Sequence, residues 1–217
     1  RPVTPVAAPR RVVVVRPDHL GDVVLTGPAL SLLRRRWPAA EITLLVGPWC
    51  ADVAARLPGV DAVSVLDFPY FDRRGRTSRV TPYRRLLAAA RDLRPSRYDA
   101  AVIARDDDRW SALLARAAGI PVIAGHATPR MRWVLTHRLP APLRPVHVAA
   151  AGVALGEALA RGRLGSARAM TGTLTSTSWS ASEATTITPT AHPLAFRLTD
   201  DDRERAATLL GADARVG

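Results

Sequence analysis

The sequence contains no lysine, asparagine or glutamine, so all 31 of its basic residues are arginines. The codons of the three missing amino acids are rich in adenine, and a G+C-rich genome is therefore the simplest explanation of the arginine excess. The formal net charge of +12 still attracts polyanions and acidic membrane surfaces, with a strong dependence on salt. Because the arginines are spread over many segments, we expect no dedicated nucleic-acid interface.

Cysteine and long apolar runs are also scarce. Cys50 is the only cysteine, which excludes an internal disulfide and predicts a small buried residue. No segment reaches the roughly 18 consecutive apolar residues of a membrane-spanning helix. Residues 1–10 lack the apolar core of a signal peptide. We therefore predict a cytoplasmic protein, with peripheral contact of its arginines with the inner membrane face as a further option.

Short apolar runs alternate with helical patterns along the first 160 residues. The apolar runs predict strands at residues 11–16, 41–46, 61–66, 99–104 and 121–124. The segments between and after them predict helices at residues 22–36, 49–57, 82–93, 109–118 and 146–161. This alternation predicts an α/β fold with a doubly wound parallel sheet. The four consecutive valines at 12–15 predict a first strand that is covered on both faces.

The composition changes beyond this region. Residues 171–190 are mostly serine and threonine, with Glu183 as the only charge, which is typical of a low-complexity linker. Residues 198–205 have the pattern of a capped helix start. We therefore divide the chain into a Rossmann-like domain at 1–162, a Ser/Thr-rich linker at 163–193, and the start of a further domain at 194–217.

The first predicted strand leads into a polar loop that ends in the pair Gly21-Asp22. In an open α/β sheet this loop lies at the carboxyl end of a strand, where ligands bind. From the residues alone, Asp22 is either a helix N-cap, worth about 1 kcal/mol, or a carboxylate in a site that handles hydroxyl and anionic groups. Asp18 competes for both roles. Pro28 lies inside the next helical pattern, so the helix is kinked there or begins near Thr26.

The segment 16–30, RPDHLGDVVLTGPAL, resembles the N-terminal domain of glycosyltransferase family 9, the ADP-heptose:lipopolysaccharide heptosyltransferases and their relatives. Weaker similarities follow in the order of that family at residues 34–38, 42–46, 57–61, 98–103, 109–116 and 136–140. The resemblance extends over about residues 11 to 160. It implies the Rossmann-like, acceptor-side half of a GT-B enzyme, whose second, donor-binding domain is largely missing from this sequence.

The resemblance implies inverting transfer of a heptose or related sugar from a nucleotide-sugar donor, such as ADP-heptose, to a lipopolysaccharide-type or other membrane-linked, anionic glycan. It implies that Asp22 is the general base for the acceptor hydroxyl. It implies no metal and no cofactor besides the donor substrate. The further substrate contacts that we expect are Arg16, Asp18, His19, Gly21, Arg73, Arg74, Arg76 and His147.

Several of these residues have alternative interpretations. The basic loop with Arg73, Arg74 and Arg76 is either a grip for acidic sugars or a solvated charge run. The carboxylates at 106–108 either cap the helix that begins at Arg109 or bind a metal, and we favour the caps. We interpret His126 and His137 as turn or packing residues. We interpret three tryptophans as packing residues rather than platforms for a sugar: Trp37, Trp110 and Trp133.

Three other functions compete with the transferase. A dinucleotide-dependent oxidoreductase needs a Gly-x-Gly-x-x-Gly turn, whereas this loop has only Gly21, and no acidic residue ends the second predicted strand. A basic anion-binding module and a catalytically inactive fragment of a transferase also remain open. Because the donor domain is largely missing, this chain alone is compatible with an inactive protein.

Overall fold

The structure is a computed structural model of the 217-residue chain, and it describes residues 8–70, 81–139, 148–160, 165–166 and 199–205. The strands are β1 (Arg11–Arg16), β2 (Glu41–Val46), β3 (Ala62–Val65), β4 (Ala100–Ile103), β5 (Val122–His126), β6 (His137–Leu139) and β7 (Gly165–Ser166). The helices are α1 (Leu20–Val24), α2 (Gly27–Arg36), α3 (Ala51–Ala54), α4 (Thr81–Leu93), α5 (Arg109–Ala117) and α6 (Val148–Ala160). Residues 200–205 are also helical.

The strands form one sheet in the order β3-β2-β1-β4-β5-β6-β7. Strands β1 to β6 pair in parallel, and β7 pairs with β6 in the antiparallel direction. The predicted doubly wound α/β fold is therefore confirmed. The chain runs outward from β1 to β3 on one side and from β4 to β7 on the other. The strand order thus reverses between β1 and β4, and such a switch point forms a crevice at the carboxyl ends of the strands.

The central strand β1 is buried on both faces. Val12 and Val14 face the apolar layer built with α2, α3 and α6, whereas Val13 and Val15 face the layer built with α4 and α5. All four side chains are at most 2% exposed. Neither face of the strand is exposed to water, which explains its four consecutive valines and confirms the predicted burial on both faces.

The predicted helix at residues 22–36 is wrong as a single element. Helix α1 ends at Val24, and α2 begins at Gly27. Thr26 Oγ1 donates a hydrogen bond to the carbonyl oxygen of Asp22 at 2.9 Å. Pro28 lies in the first turn of α2, where its missing N–H disrupts no helical hydrogen bond. The alternative of a helix start near Thr26 is confirmed.

Other boundaries differ at short elements. The predicted helix at 49–57 is a 3₁₀ turn, Pro48–Cys50, followed by the single turn α3. Strands β6 and β7 were not predicted, because three and two residues are too few for a recognisable alternation. Strand β7 lies within the predicted linker, the rest of which is outside the described residues. In the part of the chain that the structure describes, no helix has the length and apolar character required to cross a bilayer.

Candidate active site

A cavity of about 540 Å³ opens at the carboxyl ends of β1 and β4, where the strand order reverses. Four residues that the sequence predicts as site residues lie together in its wall, namely Arg16, Asp18, His19 and Asp22. The other lining residues are Tyr70, Ala104, Arg105, Asp106, Asp107 and Ala151. The first polar loop and the loop after β4 therefore form one pocket, although they are separated by almost ninety positions in the sequence.

Arg16, the last residue of β1, is buried beneath this pocket. Its side chain is 6% exposed, and its Nε lies 2.8 Å from Asp18 Oδ2 as an ion pair that is not aligned as a hydrogen bond. Arg16 Nη1 donates to the carbonyl oxygen of Ala104 at 2.5 Å. Arg16 Nη2 lies 3.9 Å from Asp22 Oδ1. Burial lowers the pKa of Arg16, and the nearby carboxylates of Asp18 and Asp22 oppose that effect.

Asp18 is enclosed between two guanidinium groups. Its Oδ1 accepts a hydrogen bond from Arg105 Nη1 at 2.7 Å, opposite the contact of Oδ2 with Arg16. Burial raises the pKa of Asp18, and the two arginines oppose the increase. The alternative in which Asp18 caps α1 is wrong, because His19 occupies the N-cap position and no side-chain hydrogen bond caps the helix.

The backbone of Asp18 is fixed as firmly as its side chain. Its carbonyl oxygen accepts a hydrogen bond from Trp49 Nε1 at 3.0 Å and a weaker one from Cys50 Sγ at 3.6 Å. Cys50 is fully buried, as predicted, and this burial raises the pKa of its thiol. Its burial and its contact with the Asp18 backbone give Cys50 a structural role in holding the loop.

Arg105 links the two sides of the pocket, and sequence reasoning did not identify it as a site residue. It follows β4, donates from Nη1 to Asp18, and donates from Nε to Asp107 Oδ1 at 2.5 Å. The hydrogen bond with Asp107 raises the pKa of Arg105, and the same bond lowers the pKa of Asp107. The available signal was its place directly after a predicted strand, at the same sheet edge as Arg16.

Asp22 is the more accessible of the two carboxylates in the first loop. Its side chain is 33% exposed, against 8% for Asp18. Within the described residues its carboxylate has a single ion pair, the 3.9 Å contact with Arg16. It is the third residue of α1, so the interpretation of Asp22 as an N-cap is wrong. Asp22 therefore presents a carboxylate that a ligand in the pocket can reach.

Gly21 and His19 border Asp22 at the mouth of the pocket, and both are exposed. A Cβ atom added at Gly21 would meet no other atom within 4 Å. Packing within the described residues therefore does not require glycine at this position. His19 lines the pocket with its imidazole on the same loop as the two carboxylates.

The described lining is acidic, although the whole chain is strongly basic. Four carboxylates face two guanidinium groups, which gives a formal charge of −2 with His19 neutral. The carboxylates belong to Asp18, Asp22, Asp106 and Asp107, and the guanidinium groups to Arg16 and Arg105. An acidic lining suits hydroxyl groups, which donate hydrogen bonds to carboxylates, and disfavours phosphate oxygens.

Of the three consecutive aspartates after β4, at residues 106–108, Asp108 has a structural role. Asp108 caps α5 by accepting a hydrogen bond from the backbone N–H of Ser111 at 3.0 Å, as the cap interpretation predicts. Burial raises the pKa of Asp108. Within the described ranges, no group of three histidine, cysteine or acidic residues is placed to hold a metal ion.

The remaining predicted residues have mixed outcomes. Arg73, Arg74, Arg76 and His147 lie outside the described residues, so their predicted roles stay predictions. Trp37 and Trp110 are buried packing residues, as expected. The packing prediction is wrong for Trp133, which is 54% exposed and lies beneath the Arg109 guanidinium, 5.2 Å from the ring centroid.

The two predicted packing histidines lie in strands. His126 ends β5, is buried, and has its Nε2 3.2 Å from the carbonyl oxygen of Ala151. His137 begins β6, and burial lowers its pKa. Neither residue lines the pocket.

Comparison with known proteins shows the fold. No protein-family model matches the chain, and no curated protein matches it in sequence. A glycosyl transferase family 9 structure from Veillonella parvula is 24% identical with a TM-score of 0.57, covering 69% of this chain and 41% of its own. The ADP-heptose LPS heptosyltransferase II of E. coli is 18% identical with a TM-score of 0.62, covering 92% and 50%. The E. coli heptosyltransferase WaaC with ADP is 21% identical with a TM-score of 0.52, covering 67% and 45%.

These similarities show which fold class the chain has. The chain has the Rossmann-like α/β fold of family 9 glycosyltransferase structures, and the resemblance seen in the sequence is confirmed at the level of the fold. The chain spans half or less of the length of each structure that it matches. This chain is thus similar to about half of each of the two heptosyltransferase structures.

Proposed function

We propose that this chain is the acceptor-binding half of a family 9 type glycosyltransferase and that Asp22 is its general base. The observation that carries the proposal is the accessible Asp22 carboxylate in a cavity of about 540 Å³ at the switch point of the sheet. Ligands of open α/β sheets bind at this position. The fold similarity to heptosyltransferase structures supports the same function.

The reaction proposed is an inverting sugar transfer. An acceptor hydroxyl donates a hydrogen bond to Asp22 and attacks the anomeric carbon of the donor sugar from the face opposite the nucleotide. Asp22 takes the hydroxyl proton as the new C–O bond forms, and the bond to the diphosphate breaks with its electron pair on the leaving oxygen. The base acts at a heavy-atom distance of about 3 Å from the hydroxyl.

The charge of the pocket supports a division in which this half of such an enzyme binds the acceptor and does not bind the donor diphosphate. The described lining has a formal charge of −2, so it does not neutralise a diphosphate. We therefore place the donor phosphates against cations of a second domain, and we keep Arg73, Arg74 and Arg76 as the expected grip for acidic sugars of the acceptor. The same acidic lining argues against an anion-binding module at this pocket.

Two of the matched structures support a proposal for the donor. One E. coli heptosyltransferase structure contains ADP, and another contains ADP-2-deoxy-2-fluoro heptose. We propose a nucleotide-activated heptose or related sugar as donor and a lipopolysaccharide-type or other membrane-linked glycan as acceptor. Such an acceptor would bring the protein to the cytoplasmic face of the membrane.

The test is a transfer assay on the complete natural gene product that contains this chain. Release of nucleoside diphosphate from ADP-heptose is measured with a truncated lipopolysaccharide acceptor, and the configuration of the product is read by NMR. We expect Asp22→Asn to lower kcat about 10²- to 10⁴-fold, because the amide cannot take a proton. Its thermal unfolding should match that of the wild type.

Asp92→Asn is the matched control, since Asp92 is an exposed carboxylate on α4. It should retain wild-type activity. Absence of transfer by the wild type with nucleotide sugars would contradict the proposed function. Full activity of Asp22→Asn would contradict the assignment of the base.

A further inference from the structure

We propose that Asp18 is a positioning residue that holds Arg16 away from Asp22 and so keeps the Asp22 carboxylate available. The inference rests on the proposed role of Asp22 as the base. It concerns a buried carboxylate that does not contact the reacting atoms in the mechanism above.

The geometry of Arg16 carries the first step. Its three guanidinium nitrogens face three different partners, with Nε 2.8 Å from Asp18, Nη1 2.5 Å from the Ala104 carbonyl and Nη2 3.9 Å from Asp22. Charge-assisted contacts between guanidinium nitrogens and carboxylate oxygens are usually about 2.7–2.9 Å long. The ion pair with Asp18 has that length, although it is not aligned as a hydrogen bond, whereas the contact with Asp22 is longer by about one ångström.

The fixed position of Asp18 carries the second step. Its two carboxylate oxygens face different arginines, and its carbonyl oxygen is held by Trp49 and Cys50. Both Asp18 and Arg16 are less than 10% exposed, so their attraction is weakly screened by water. Arg16 is therefore held by the buried carboxylate and does not close onto the accessible one.

The consequence concerns the base. A carboxylate in a short, bidentate pair with arginine has its oxygens occupied and is a poor acceptor for a substrate proton. With Asp18 ionised, Arg16 has a nearer partner than Asp22. Without that negative charge, the guanidinium would rotate toward Asp22 and close the remaining distance.

The first test uses Asp18→Asn, which preserves the side-chain shape and removes the charge. We expect kcat to fall about 10- to 100-fold, because Arg16 would move onto Asp22 and displace the base. KM should change little. The double variant Arg16→Gln/Asp18→Asn also removes the guanidinium that lies 3.9 Å from Asp22, so it should be more active than Asp18→Asn. A double variant no more active than Asp18→Asn would overturn the proposal.

The second test needs no transferase activity. The full chain is treated with a water-soluble carbodiimide and an amine at fixed pH, and labelling of Asp22 is followed by peptide mass spectrometry. We expect labelling about tenfold slower in Asp18→Asn than in the wild type, because a short ion pair protects the carboxylate. The double variant should regain the wild-type rate, and equal rates in all three proteins would overturn the inference.

Arg105→Gln provides an independent variant in case Asp18→Asn fails to fold. Arg105 is partly exposed, and its removal leaves both Asp18 oxygens available to Arg16. Asp22 should then be labelled at least as fast as in the wild type, and slower labelling would contradict the proposal. If the labelling results are as expected but the complete protein transfers no sugar, the proposed function fails while the positioning of Arg16 by Asp18 holds.

Discussion

The two edges of the sheet use arginine and aspartate in different ways. At the amino-terminal edge, Asp99 Oδ2 accepts hydrogen bonds from the backbone N–H groups of Arg10 and Arg11 at 2.7 and 2.9 Å. Asp61 Oδ2 accepts from the N–H of Ile42 at 2.7 Å and also pairs with the Arg34 guanidinium. These carboxylates satisfy backbone donors at the starts of β1 and β2, and their role is structural.

At the carboxyl-terminal edge, the carboxylates of Asp18 and Asp22 face charged side chains. Asp18 lies between Arg16 and Arg105, and Asp22 stays accessible beside them. A buried ion pair often contributes less stability than apolar residues of the same volume, because the charges lose their hydration. The same residue type therefore has a structural role at one edge and lines the candidate site at the other, and the difference lies in the partners of the carboxylates.

The largest effect on stability should arise at the amino-terminal edge. Asp99→Ala removes the protein acceptor of two exposed strand N–H groups, and we expect it to lower the free energy of unfolding by about 0.5–1.5 kcal/mol. Transfer activity per folded molecule should be unchanged. The matched control is Glu41→Gln, which breaks the half-exposed pair with Arg11 and should cost about 0–0.5 kcal/mol. Urea denaturation measures both, and equal losses would break the comparison.

Replacement of Asp108, the structural carboxylate at the carboxyl-terminal edge, should have a smaller effect on the free energy of unfolding. Burial raises the pKa of Asp108 above its ordinary value of 3.8, so the folded state disfavours its ionisation. Its contribution to stability is therefore present below the ordinary pKa and is lost as pH rises through the raised one. Asp108→Asn keeps an oxygen that can cap α5 and has no charge to bury.

The free energy of unfolding of Asp108→Asn should therefore increase relative to the wild type as pH rises from about 3 to about 6. Urea denaturation at several pH values measures this difference. A difference that does not change with pH would show that the Asp108 carboxyl has no raised pKa in the folded protein.

Much of the fold could be predicted because its strands are buried on two faces. The predicted strands at 11–16 and 41–46 coincide with β1 and β2. The helix at residues 82–93 lies within one residue of α4. The sequence periodicity did not predict the short strand β6, and it did not reveal the break between α1 and α2.

The site was predictable only in part, because its contacts join distant segments. The sequence identifies the loop that contains Asp18 and Asp22, since a Gly-Asp pair follows a buried strand. It does not show which carboxylate is enclosed, because that depends on Arg105, 87 residues further along the chain. Pairing of β1 with β4 brings the two loops together, and this pairing is a property of the whole sheet.

The most direct measurement of the central claim is a crystal structure of the complete protein with an acceptor glycan and an unreactive nucleotide-sugar analogue. We expect an acceptor hydroxyl oxygen within about 3 Å of an Asp22 carboxylate oxygen. We also expect Asp18 to stay paired with Arg16 and Arg105. A reacting hydroxyl bound by Asp106, with the Asp22 side chain directed away from the acceptor, would contradict the central claim.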